Sequence, residues 1–189
     1  MKSSGLAKLY AAGRTIFSTK DLSLLWRRAD TNYLKTKTYR LTKKSILIPL
    51  RRGLYAIKKD YNHQELANQL LVPSYISLHT VLSEAGAIFQ YNSTIASVSR
   101  ITRESEVDGV RYSYQKIKDA VLFNKSGIAV KDGITKACPE RAWLDWLYLN
   151  KNASLDNDRA LDWQKCLDLL PLYRNAALEK RLKKWLPNS

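Results

Sequence analysis

Glycine and proline are scarce in this chain, with 7 and 5 among 189 residues. That shortage excludes collagenous repeats and flexible low-complexity linkers. Cysteine occurs twice, at Cys138 and Cys166, and histidine twice, at His63 and His79. Two distant cysteines cannot form a Cys-x-x-Cys metal or redox site. Two buried, reduced thiols in a cytoplasmic protein are therefore expected, with no metal and no cofactor. No apolar run approaches the roughly 18 residues of a membrane span. Lys8 and Arg14 break the N-terminus before a signal-peptide core could form. Neither a Gly-rich phosphate loop nor a Gly-x-Ser-x-Gly elbow occurs.

Acidic residues are the other shortage. Asp and Glu number 17 against 32 Lys and Arg, for a net charge of +15. The imbalance is local. Residues 1–60 hold 15 basic and 3 acidic side chains, a net of +12, whereas residues 61–189 hold 17 and 14, a net of +3. A basic module that binds a polyanion, joined to a nearly neutral one, is the simplest arrangement with that asymmetry. What is plentiful is aromatic: eleven Tyr and five Trp. They argue for a packed core and against disorder.

The basic third reads as three helices and a hairpin. Residues 3–12 suit a first helix, with Leu6, Leu9 and Tyr10 on one face and Gly13 as its stop. Ser18-Thr19-Lys20-Asp21 is an S-x-x-D capping box, opening a short second helix with Leu22, Leu25 and Trp26 at helical spacing. Asp30 or Thr31 caps a third helix running to Lys44. At about 100° per residue, Leu34, Thr38 and Leu41 fall together as its core face. The opposite face collects Asn32, Lys35, Thr36, Tyr39 and Lys43, with Arg40 at its edge and Lys44 at its end. Donors without a carboxylate suit phosphates and the acceptor-rich base edges of a major groove. Residues 46–50 and 54–57 then read as strands around an Arg51-Arg52-Gly53 turn, and Pro49 calls for an edge or a bulge. Three helices followed by a hairpin with a basic tip predict a winged helix-turn-helix over residues 1–60. Its third helix would lie in the major groove, and Arg51 and Arg52 on flanking backbone or minor groove.

The run Phe17-Ser18, Asp21-Leu22, Arg40-Leu41, Lys43-Lys44, Ile46 and Arg51-Arg52-Gly53-Leu54-Tyr55-Ala56 resembles the N-terminal domain of AbiEi-type antitoxins. These are the antitoxin halves of bacterial type IV toxin–antitoxin and abortive-infection (phage-defence) systems. The likeness extends through Leu66-Ala67-Asn68, Pro73-Ser74-Tyr75-Ile76-Ser77-Leu78, Gly86, Ile88 and Gln90. It also takes in Pro139-Glu140-Arg141-Ala142 with Leu144-Asp145 and Leu147-Tyr148, so it covers roughly residues 15–150. Where Ser45 stands the family usually has glycine, and at Arg141 usually lysine. The resemblance implies a repressor that sits on inverted repeats of double-stranded operator DNA. It also implies a partner, direct or indirect, in a toxin with a nucleotidyltransferase-like fold. Inverted repeats imply two copies per operator, with self-association on DNA.

Residues 61–189 are expected to form a mixed α/β antitoxin domain with a helical C-terminus, which makes the chain α+β overall. Helices are expected over 64–71 and from Ser77, as their cap, to Ala85. Residues 95–101 and 110–117 read as the arms of one hairpin, with 104–109 as its turn. Short strands are expected over 121–123 and 127–137. A buried helix begins at Pro139, with Trp143, Trp146 and Leu147 on its apolar face. Two more helices are expected over 158–170 and 173–186. A toxin-neutralising surface is expected on residues 139–148 and the last, basic helix. Signs of catalysis are few, so a non-enzyme is expected. Glu140 reads as a helix-dipole partner, Asp145 as a buried hydrogen-bond acceptor, and both histidines as structural. Two alternatives stay open: a winged-helix regulator without a toxin partner, and a metal-dependent nuclease using Asp108, Asp119 and Lys118.

Overall fold

A computed structural model of the chain describes residues 5–90 and 93–186. They form an α+β structure of two compact units, Met1–Leu70 and Leu71–Ser189. The division falls later in the chain than the shift in charge, because the helix expected to open the second module belongs to the first unit.

In chain order the first unit holds α1 (Gly5–Ala11), β1 (Ile16–Ser18), α2 (Thr19–Trp26) and α3 (Thr31–Lys43). β2 (Ile48–Arg51), β3 (Leu54–Ala56) and α4 (His63–Leu70) complete it. Leu9, Phe17, Leu22, Trp26, Leu34 and Leu47 form its core, and Leu25, Leu41, Tyr55 and Ile57 pack against it half-buried. Tyr10, expected on the core face of α1, is 62% exposed, since one residue of helix turns it about 100° from buried Leu9. The Leu6 side chain, expected beside it, and residues 3 and 4 of that helix lie outside the described residues.

Residues 16–18, unassigned in the sequence reading, pair with β3 and give a sheet of order β1-β3-β2. Pro49 sits on the edge strand β2, beside a register shift between Pro49 and Arg51. The missing N–H is harmless at such an edge, and the bulge twists the hairpin. The strand starts two residues later than expected because Ser45 adopts a left-handed conformation, φ +54°. Ile46 and Leu47 then donate back to the Leu41 carbonyl at 2.9 and 3.3 Å.

The capping box is present in full. Asp21 N–H donates to Ser18 Oγ at 3.1 Å, and Ser18 N–H donates to Asp21 Oδ2 at 2.8 Å. Burial alone would push the Asp21 carboxyl up, but hydrogen bonds from Ser18 and the Arg14 guanidinium outweigh it, so the net shift is down. A depressed carboxyl contributes stability above its unfolded value, near pH 4, and that stability is lost as pH falls through the folded value. Ser18→Ala is expected to destabilise the first unit by about 1 kcal/mol near neutrality. Urea titrations at pH 7 and pH 3 are expected to show a smaller gap between variant and parent at the lower pH. An equal gap at both would detach the Asp21 shift from the cap.

The second unit contains β4 (Ser74–Ile76), α5 (Leu78–Glu84), β5 (Ile95–Ser99), β6 (Arg103–Val107) and β7 (Val110–Lys116). It continues with α6 (Asp119–Leu122), β8 (Ile128–Lys131), β9 (Ile134–Ala137), α7 (Pro139–Leu149), α8 (Trp163–Leu169) and α9 (Ala176–Lys183). Its six strands run in the order β6-β7-β5-β4-β9-β8.

The expected hairpin is corrected here. β5 and β7 are parallel neighbours, and the arm that turns into β7 is β6, placed in the sequence reading within a turn. Asp108 and Gly109 do make the tight turn, at φ +51° and +75°, as primed hairpin turns require. The polar composition of β6 reflects an edge strand with an exposed face. Residues 121–123, expected as a strand, belong mainly to α6, which opens with Asp119 in its first turn. Residues 127–137 form the β8–β9 hairpin. The helices expected over 158–170 and 173–186 are shorter. α8 and α9 are preceded by single 3-10 turns at Asp158–Ala160 and Leu170–Tyr173.

Candidate functional site

The third helix arranges its side chains by simple periodicity. Leu34 and Thr38 are buried, and the Thr38 hydroxyl satisfies itself on the Leu34 carbonyl at 2.8 Å. Leu41 completes that face half-buried. Asp30 caps the helix, accepting from the N–H groups of Asn32 at 2.8 Å and Tyr33 at 3.3 Å. Everything singled out on the other side is exposed: Asn32, Lys35, Thr36, Tyr39, Arg40, Lys43 and Lys44. No carboxylate occurs within the helix itself. Arg51 and Arg52 are exposed at the tip of the β2–β3 hairpin. These nine residues lie on two elements of one unit, α3 with its C-cap and the hairpin tip.

Three features escaped the sequence reading. First, the hairpin tip is tied down: Thr19 N–H donates to the Gly53 carbonyl at 2.9 Å, and its hydroxyl does so at 3.3 Å. Gly53 has φ +80°, and a Cβ there would meet Thr19 Oγ1 at 3.3 Å. The Arg-Arg-Gly turn is thus fixed to the first residue of α2. Second, a cation–aromatic stack flanks α3. The Lys37 ammonium lies 4.0 Å from the Trp26 ring centroid and donates to the Tyr33 hydroxyl at 3.1 Å, and Arg28 lies 5.7 Å from the Tyr33 ring. Helical spacing puts Lys37 beside, not on, the outer face, which is why it was not singled out. Third, Glu65 of α4 is almost wholly buried and accepts from Thr15 N–H at 2.8 Å, the Thr15 hydroxyl at 2.7 Å and Ile16 N–H at 3.1 Å. Arg14 links it to Asp21. A lone glutamate in an amphipathic helix carries no sequence signal for partners some fifty residues away.

The second unit keeps its polar chemistry inside. Arg141 and Asp145 are both fully buried, with Nε 3.4 Å from Oδ1. Asp145 also accepts from Tyr75 at 3.0 Å, Ser77 at 2.7 Å and Tyr173 at 2.6 Å. Arg141 donates to the carbonyls of Val121 at 2.7 Å and Ser126 at 2.9 Å. Burial works against the Arg141 charge, but Tyr173, Tyr75 and Asp145 more than offset it, and its pKa rises. Burial and the Asp145 charge push both tyrosine hydroxyls well up, so they remain donors. Asp145 is the buried acceptor expected. Ser77, expected to cap α5, occupies the cap position but makes no cap bond, because its hydroxyl is spent on Asp145.

The expected surface over residues 139–148 is mostly internal, with Pro139, Trp146 and Tyr148 half-buried. Residues 140–145 and Leu147 are buried, and Trp143 meets Trp185 edge-to-face at 5.3 Å. Lys180, Lys183 and Lys184 at the last helix are exposed. Glu140 sits in the first turn of α7, as expected of a dipole partner, and pairs with Lys165 at 2.8 Å. The His79 imidazole is pushed toward neutrality by burial and faces the Thr94 carbonyl at 3.1 Å. Both cysteines are free thiols. Cys166 is buried and its thiol is pushed up to about 12, whereas Cys138 is only half-buried. Asp119 is engaged by Arg100 at 2.6 Å on the surface, and Asp108 lies in the β6–β7 turn. Among the described residues no three His, Cys, Asp or Glu side chains gather as a metal site, and no helix is long and apolar enough to cross a membrane. Comparison with protein-family models finds no match to this chain, and comparison with curated proteins finds none either.

Proposed function

We propose that the first unit is a winged helix-turn-helix that binds double-stranded DNA. In this reading α3 enters the major groove and the β2–β3 hairpin is the wing. The observation that carries it is the pairing of an all-exposed, carboxylate-free face on α3 with two exposed arginines at a tethered hairpin tip. A helix of this width fits the major groove, and cations beside it neutralise phosphates. The test is a salt titration. Replacing Arg51 and Arg52 with Ala should remove two phosphate contacts and flatten the slope of log K against log salt by about 2 × 0.9. An unchanged slope would take the hairpin out of the interface, and a parent protein with no salt-sensitive affinity for duplex DNA would end the proposal.

The chain as a whole is proposed to be a non-enzymatic antitoxin and repressor of its own operon. Two copies would occupy an inverted repeat, with half-site centres about 34–36 Å apart or a multiple of it. The resemblance of residues 15–150 to AbiEi-type antitoxins supports this part. The proposed toxin is a nucleotidyltransferase-like protein encoded next to it. Growth on co-expression of the adjacent gene with the parent chain, and with the Arg51→Ala/Arg52→Ala variant, is the check. Rescue by the parent and not by the variant would place protection in DNA binding. Rescue by both would place it in the second unit, and rescue by neither would leave a regulator without a toxin partner.

A further inference from the structure

We infer that the outward ridge of α3 reads A·T base pairs, Asn32 taking an adenine edge and Thr36 and Tyr39 packing on thymine methyl groups. The inference rests on the DNA-binding reading and names what that site selects. The buried residues Leu34, Thr38 and Leu41 fix which side of the helix faces away from the core. At about 100° per residue, the positions centred opposite them are Asn32, Thr36, Tyr39 and Lys43, and all four are exposed. The first three carry no charge. From Asn32 to Tyr39 is seven residue steps of helix, roughly 10 Å, or about three base-pair steps.

Guanine is most often read by arginine, whose fork matches its two acceptors. The first two turns of α3 contain no arginine, and Arg40 arrives only in the third turn. At about 100° per residue Arg40 is turned about 50° from the centre of the ridge, and Lys43 and Lys44 lie at the end of the helix, away from the N-terminal residues that mainly contact bases, so these three are placed for phosphates. Lys37 is held to the side by Trp26 and Tyr33. That leaves Lys35 as the one cation of the first two turns positioned for a neighbouring guanine. An asparagine amide matches the donor and acceptor of adenine, and a threonine methyl or an aromatic ring matches the thymine methyl. Tyr39 is 63% exposed with the Lys43 ammonium 5.6 Å from its ring centroid, which keeps ring and cation together on the outer side.

The test uses the full chain and a pool of duplexes with a randomised segment. Selection of bound duplexes should enrich A·T pairs at the centre of each half-site. Replacing thymidine by deoxyuridine in the enriched site removes only a methyl group, and should weaken binding about fourfold per contacted methyl. Thr36→Ser keeps the hydroxyl and loses the methyl, so this variant should bind the thymidine and deoxyuridine forms of its base pair equally. Asn32→Ala should lose roughly 5- to 150-fold of discrimination at one A·T pair. Far-UV circular dichroism and the urea midpoint of both variants should match the parent, the sign that folding is intact. Enrichment of G·C pairs at the centre, or deoxyuridine forms that bind the parent as well as thymidine forms do, would overturn the inference and leave DNA binding standing. Failure to retain any duplex would overturn both.

Discussion

Asp145→Ala is expected to destabilise the second unit by about 3–5 kcal/mol. The aspartate is the common acceptor for Tyr75, Ser77 and Tyr173, and the counter-charge of a fully buried Arg141. Removing one partner of a buried ion pair leaves an uncompensated charge, which costs far more than the pair contributes. Three hydroxyls would lose an acceptor at the same time. Against a typical domain stability of 5–15 kcal/mol the loss is a large fraction. Four of the five tryptophans, Trp143, Trp146, Trp163 and Trp185, lie in this unit, so tryptophan fluorescence in urea reports mainly on it. A shift below about 1 kcal/mol would mean that the cluster relaxes or takes up water when the carboxylate is removed. Salt-sensitive DNA binding, proposed for the other unit, is expected to survive.

Glu65→Ala is expected to cost the first unit on the order of 3 kcal/mol. The carboxylate is the acceptor for two backbone N–H groups of the Thr15–Ile16 segment and for the Thr15 hydroxyl. An unsatisfied buried donor costs about 1–3 kcal/mol. Local opening at β1 should follow, because Ile16–Ser18 is only three residues long and pairs with β3 alone. Hydrogen exchange over residues 14–18 is the direct measurement, with faster exchange expected there before any change over α3. Uniform protection in the variant would show that the ladder with β3 is sufficient by itself.

What the sequence revealed and what it concealed divide along the range of the interactions. The outer face of α3 was legible because its burial follows a local period, set by Leu34 and Thr38. The Ser18–Asp21 cap was legible because its partners are three residues apart. β1 was not, since three residues carry no alternation that distinguishes a strand from a loop. The pairing of β5 with β7 joins strands separated by a whole further strand, and adjacency in sequence pointed to a hairpin instead. Ser77 sits at a helix start and looks like its cap, but Asp145, 68 residues away, claims its hydroxyl. Glu65 and Asp145 are each a single carboxylate whose weight comes from donors elsewhere in the chain. The nine side chains proposed to meet DNA needed only a helix period and a turn, so their exposure could be read in advance.

The bond from Thr19 to Gly53 bears on how fast and how tightly such a surface could engage. A free hairpin tip would have to surrender its motion on contact, at about 0.5–1.5 kcal/mol for each long side chain immobilised and more for the backbone. Here the turn carrying Arg51 and Arg52 is already held by the helix that begins at Thr19, so its backbone entropy is lost during folding instead of during association. Only the arginine side chains remain to be ordered. Loosening that bond, with every cation left in place, would leave the charge–salt relationship unchanged and lower affinity at every ionic strength by the same factor.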